Sequence, residues 1–128
     1  MKTRFNLFHT ALLVLGWLAT SQLAYAQDSD SVARGKAKFD HSCAPCHAKG
    51  PGDDGREMLP GTYALSLKYQ GTTVPAALED RTDLTPEAIT VFVRMGTWSM
   101  PPFRKTELSD DEINAIAAYL AETSGAGN

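Results

Sequence analysis

An all-α domain of three to four helices with long loops is what the sequence predicts, and three observations predict it. Two segments carry complete helix start and stop signals, no two alternating apolar runs offer a sheet, and much of the remaining chain is rich in glycine and proline.

The elements follow in order. Residues 31–42 read as a first helix, with Ser29 or Ser31 available as cap and Val32, Gly35, Lys36 and Phe39 near one face. It leads straight into the two cysteines, Cys43 and Cys46. Lys49 to Gly61 contains Pro-Gly and Asp-Gly turn signals and reads as loop. Tyr63, Leu65, Leu67 and Tyr69 alternate with smaller or polar residues, a strand signal taken alone; with no partner strand, a short helix or extended loop is the expectation. A second helix, about 86–95, is capped by Thr85 and opened by Pro86, with Glu87 at the positive end of its dipole and Ile89, Phe92 and Val93 on its apolar face. Arg94 lies in its last turn and Gly96 can stop it. In the last helix Ser109 and Glu112 form a capping box, Ile113, Ile116, Ala117, Leu120 and Ala121 repeat at helical spacing, and Gly125 ends the run.

Residues 1–26 read as a secretory signal peptide: Lys2 and Arg4, then an apolar stretch densest from Ala11 to Ala19, then Ala24-Tyr25-Ala26 before the cleavage point. The apolar part is nearer ten residues than the roughly twenty a permanent membrane span requires. The mature domain is then 27–128, with its core at about 31–122. All fifteen acidic residues lie in it while Lys2 and Arg4 leave with the leader, so the formal charge of −3 becomes −5. Nucleic acid is thereby disfavoured as a partner.

About 47–84 and 96–108 are expected to be irregular, a large share for a compact domain unless the loops are functional. Loops wrapped around a bulky apolar group would also enlarge a core that a chain this size cannot build alone.

Cys43-Ala44-Pro45-Cys46-His47 has the C-x-x-C-H spacing of covalent c-type haem attachment, in which two thiols reach two vinyl groups and the next imidazole falls under the iron. Three other readings compete. A thioredoxin-like dithiol expects strands between helices; a zinc site would crowd His41, Cys43, Cys46 and His47 into seven residues; a disulfide would close too short a loop to stabilise much. His41 is too near the motif to reach the far side of the iron, so a methionine is the expected sixth ligand. Met100, held extended by Pro101 and Pro102, is preferred over Met58 in the turn-rich loop and over Met95, which is expected to fill the core.

With these residues assembled, the chain resembles the class I cytochromes c. Gly35, Phe39, Cys43, Cys46 and His47 match that family's first helix, Ile116 and Tyr119 the apolar-aromatic pair on its last, and Met100-Pro101 its methionine loop. The resemblance implies a cytochrome c-like fold around one covalent haem c, with iron between His47 and Met100, and the first and last helices crossing at Gly35. Pro60 is the expected backbone acceptor for the His47 ring. Trp98 and Phe103 are expected to line the haem pocket, and Arg81 or Arg94 to be available to a propionate.

The run from Pro75 through Arg81-Thr82-Asp83-Leu84-Thr85-Pro86 to Met100 and Glu107 resembles the short cytochrome subunits of periplasmic dehydrogenases. Among these are the partners of p-cresol methylhydroxylase-like flavoproteins and of quinoprotein alcohol dehydrogenases. The implied role is a periplasmic electron carrier, not an enzyme, accepting from such a redox protein donor and passing electrons to an acceptor. A free shuttle toward a terminal oxidase and an open-site haem sensor are the alternatives.

Overall fold

The computed structural model describes residues 29–126 of the 128. The expected leader, 1–26, and its cleavage point lie outside the described residues. The domain occupies the unit Ser31–Asn128.

The described residues contain five α-helices and a short 3-10 turn, with no strand beyond the single bridge Thr97 to Met100. Helix α1 runs through residues 29–42, α2 is Ala44–His47, α3 Pro60–Lys68, α4 Pro86–Met95 and α5 Asp110–Ser124, with the 3-10 turn at Leu78–Asp80. The expected all-α fold is the observed one.

Local signals set the ends of α4 and α5. The Thr85 side chain accepts from Ala88 N at 3.2 Å, and the capping box closes in both directions, Ser109 N donating to Glu112 at 2.8 Å and Glu112 N to Ser109 Oγ at 3.2 Å. Gly125, in the left-handed region, ends α5.

Helix α5 is the central element and buries Ile113, Ala115, Ile116, Ala117, Tyr119 and Leu120. Helix α1 crosses it at Gly35. A Cβ there would stand 1.9 Å from the Ala115 carbonyl oxygen, so only glycine permits this approach. One turn on, Phe39 packs against Tyr119 with ring centroids 5.4 Å apart. Ile89 and Val93 of α4 and Leu108 complete the core. The expectation that Met95 fills that core is corrected: its side chain is 75% exposed. Two residues past Val93 is a rotation of about 200° around a helix, which turns Met95 away from the face that Ile89 and Val93 bury.

Candidate cofactor site

The cysteine motif sits where α1 gives way to α2. Cys43 N donates to Phe39 O at 2.9 Å as the last bond of α1, and His47 N donates to Cys43 O at 2.9 Å as α2 restarts the spiral. Pro45 falls in the first turn of α2, where its missing N–H has no helical acceptor to lose. Cys43, Cys46 and His47 thus stand within five residues, Cys43 packed against the core cluster and Cys46 exposed.

Their protonation bears on the competing chemistries. Burial, with the neighbouring Cys46 adding to it, pushes the Cys43 thiol up to about 11. Redox-active dithiols work by depressing that value, so the thioredoxin-like reading lacks its chemistry as well as its sheet. Among the described residues no three His, Cys, Asp or Glu side chains gather as metal ligands, which leaves the four-ligand zinc reading without a geometry. Burial lowers the His47 pKa, so at neutral pH the ring is uncharged and keeps the lone pair a metal needs.

His47 is seated against the start of α3. A Cβ on Gly61 would lie 2.7 Å from His47 Cε1 and 2.8 Å from Nδ1, so the ring rests on bare backbone. Nδ1 is buried without a hydrogen-bond partner. The bond expected between it and the Pro60 carbonyl is not formed. Pro60 opens α3, and a carbonyl at the first helical position points along the axis toward the residue four places on.

Thr62, buried in the next position, donates to Ala48 O at 3.0 Å and ties α3 to the chain leaving His47. From the other side Glu79 accepts from Lys49 N at 3.2 Å and from Tyr119 OH at 2.9 Å, joining that segment to α5. Burial, then the Glu79 carboxylate, pushes the Tyr119 phenol up to about 12, so it stays a donor throughout the neutral range. Sequence reasoning passed over Gly61, Thr62 and Glu79. A glycine in the first turn of a helix is the one trace that could have drawn notice, because it weakens the helix unless something needs the space.

Of the three candidate methionines, Met100 packs against the core cluster, while Met58 and Met95 are exposed. Thr97 N donates to Met100 O at 3.0 Å and Met100 N to Thr97 O at 2.8 Å, closing a tight turn. Trp98 stands at its tip with φ 52° and a fully exposed side chain, touching none of the core, whereas Phe103 packs on it. Gly96 lets the turn fold back, since a Cβ there would lie 2.7 Å from Met100 O. Arg81 is taken up by Asp83 and the Tyr69 hydroxyl, and Arg94 by Phe103 O and Asp110.

These residues suit a covalent haem. Two thiols, a neutral imidazole on a glycine seat and a thioether on a closed turn would be the groups to hold it, and Cys43 and Met100 pack on one core. Tyr63, Leu67, Val91, Phe92, Met95 and Trp98 are exposed large apolar side chains, on α3, on α4 and in the methionine turn.

Residues 30–120 match the family model described as "Cytochrome C oxidase, cbb3-type, subunit III". The chain is 36% identical over 99 residues to cytochrome c6 of Leptolyngbya boryana, covering 77% of this chain and 99% of that protein. Cytochrome c6 of Tetradesmus obliquus is also 36% identical, over 72% of this chain and 90% of its own, and that of Chlorolobion braunii is 35% identical over 76% and 94%. No solved structure matches the chain.

Proposed function

This chain belongs to the mono-haem class I cytochromes c, electron carriers with a covalent haem c, and from that premise we propose that Cys43 and Cys46 would form its two thioether links while His47 and Met100 would hold the iron. The observation that carries the assignment is the seat of His47, an uncharged ring fixed on Gly61 directly after the two thiols. The bound group supplies an iron that takes up and releases one electron.

The chain's own residues do the rest. His47 offers a lone pair at neutral pH, and Met100 brings a thioether that favours the reduced metal and so a fairly high potential. Phe103 backs the methionine from the core, and Trp98, packed on no protein surface, is free to cover the macrocycle. Were His47 and Met100 both to hold the iron, oxygen and peroxide would find no open site.

Met100→Ala tests the ligand assignment. The methionine-to-iron charge-transfer band at the red end of the oxidised spectrum disappears, the potential falls and the reduced form gains affinity for carbon monoxide. An unchanged spectrum would move the ligand to Met58. Ready carbon monoxide binding by the unsubstituted protein would instead favour the open-site sensor.

An electron carrier has a donor and an acceptor. The run 75–107 supports a periplasmic flavoprotein or quinoprotein dehydrogenase as donor, which co-purification and rapid reduction by such an enzyme would test. The match to an oxidase subunit favours, as a second reading, a shuttle delivering electrons to a terminal oxidase. Fast oxidation by a cbb3-type oxidase, without reduction by a dehydrogenase, would select it. Export rests on the leader, and the intact mass of the secreted protein should equal residues 27–128 plus one haem.

A further inference from the structure

We infer that Arg94 is the positioning residue of the methionine turn, holding residues 96–103 closed so that Met100 faces its site; the inference rests on Met100 being the axial ligand. Arg94 lies in the last turn of α4, and its guanidinium spans two other segments. Nη1 donates to the Phe103 carbonyl at 3.0 Å, and Nη2 to Asp110 Oδ1 at 2.6 Å in the first turn of α5.

Phe103 is held at both of its backbone polar groups, because its N–H also donates to Val93 O at 2.8 Å. The segment between is short and already pinched by the reciprocal Thr97–Met100 pair. Release of Phe103 would therefore free the whole segment as one piece. Arg94 is also unlike a surface ion pair. Its side chain is 19% exposed against 72% for Lys105, which shares Asp110, and its Nε is buried with no partner. An arginine bound only to lower its own energy would turn that donor to water, whereas a fork stretched between a carbonyl and a carboxylate is fixed by what it bridges.

Lysine keeps the charge and most of the stem but cannot bridge two acceptors as a planar fork, so Arg94→Lys is the informative variant. On the oxidised haem-loaded protein, added imidazole competes with Met100, and disappearance of the charge-transfer band reports the exchange. Loss of one charge-assisted hydrogen bond predicts imidazole binding about tenfold tighter and Phe103 amide exchange about tenfold faster. The bond lost on opening is lost on unfolding too, so global stability in urea should fall by no more than the same tenfold factor. Arg104→Gln, which breaks the exposed pair with Glu107, should change none of these.

Imidazole affinity and Phe103 exchange both unmoved in Arg94→Lys would overturn the inference, as would a lower urea midpoint with imidazole affinity unchanged. With Met100→Ala as background, Arg94→Lys should no longer alter imidazole binding. If Met100→Ala left the band intact, the ligand assignment would fall, and Phe103 exchange would still decide whether Arg94 holds the turn.

Discussion

Where α1 crosses α5, protein alone seals the contact: Phe39 is 1% exposed, Ile116 equally so, and Gly35 lets the two backbones touch. Across α3, α4 and the methionine turn, Tyr63, Leu67, Val91, Met95 and Trp98 stand outside the core. Both regions are helical and apolar, yet one is finished by its own side chains and the other leaves large apolar side chains in solvent. The crossing is packed by protein side chains alone, and the cysteine motif follows directly on the end of its first helix. On the proposed function, the second region would gain its packing from the haem that motif holds.

The largest expected effect falls on the crossing. Phe39→Ala should cost about 3–5 kcal/mol in urea unfolding, with or without haem, because the cavity lies in protein-only packing. A loss that vanished in the haem-loaded chain would break the distinction. Gly35→Ala comes next, at roughly 2–3 kcal/mol, since the new methyl meets a helix backbone that cannot yield; this outweighs the ~1 kcal/mol alanine gains in helix propensity.

Leu67 probes the other region. Leu67→Ser should change the haem-free stability by under ~0.5 kcal/mol, as for an ordinary surface site, and lower that of the haem-loaded protein by roughly 1–2 kcal/mol once there is apolar surface to leave. Equal effects in both forms would show that the exposed residues are not completed by the cofactor.

The smallest effect is electrostatic. Lys38 at 2.6 Å, followed by the Ser109 cap, holds the Glu112 carboxyl down to about 2 from the usual 4.5. A carboxyl with a depressed native value stabilises the fold above its unfolded value and loses that contribution as pH falls from about 4.5 to about 2. Glu112→Gln should therefore lower stability modestly at neutral pH, leave it unchanged near pH 2, and so flatten the acid limb of the stability curve over that window. An acid limb of unaltered slope would remove Glu112 from the α1–α5 contact.

Legibility in the sequence follows the same division. The bounds of α4 and α5 could be read because caps are local chemistry: Thr85 with Pro86, and Ser109 with Glu112, act within four residues. Helix α3 was obscured, since Tyr63, Leu67 and Tyr69 alternate like a strand and its apolar side chains are not gathered on one buried stripe. Its buried residue is Thr62, facing the chain beyond His47. Met95 was misjudged because apolar character says a side chain prefers burial, while the helical angle from Val93 decides whether it is buried. The Pro60 expectation failed for a related reason: the order of residues does not reveal that α3 begins there and directs the carbonyl along its own axis.

By itself the amino-acid order determined what is covalent or near in the chain: the two thiols beside an imidazole, the helix caps, and a methionine stiffened by two prolines. Tertiary structure decided what faces what, bringing Gly61 beneath His47, Glu79 between Lys49 and Tyr119, and Arg94 across to Phe103 and Asp110. The physical reason is range, because caps and spacings act over a turn or two of chain, whereas these contacts join residues 9 to 40 positions apart. They exist only once α5 has gathered its neighbours.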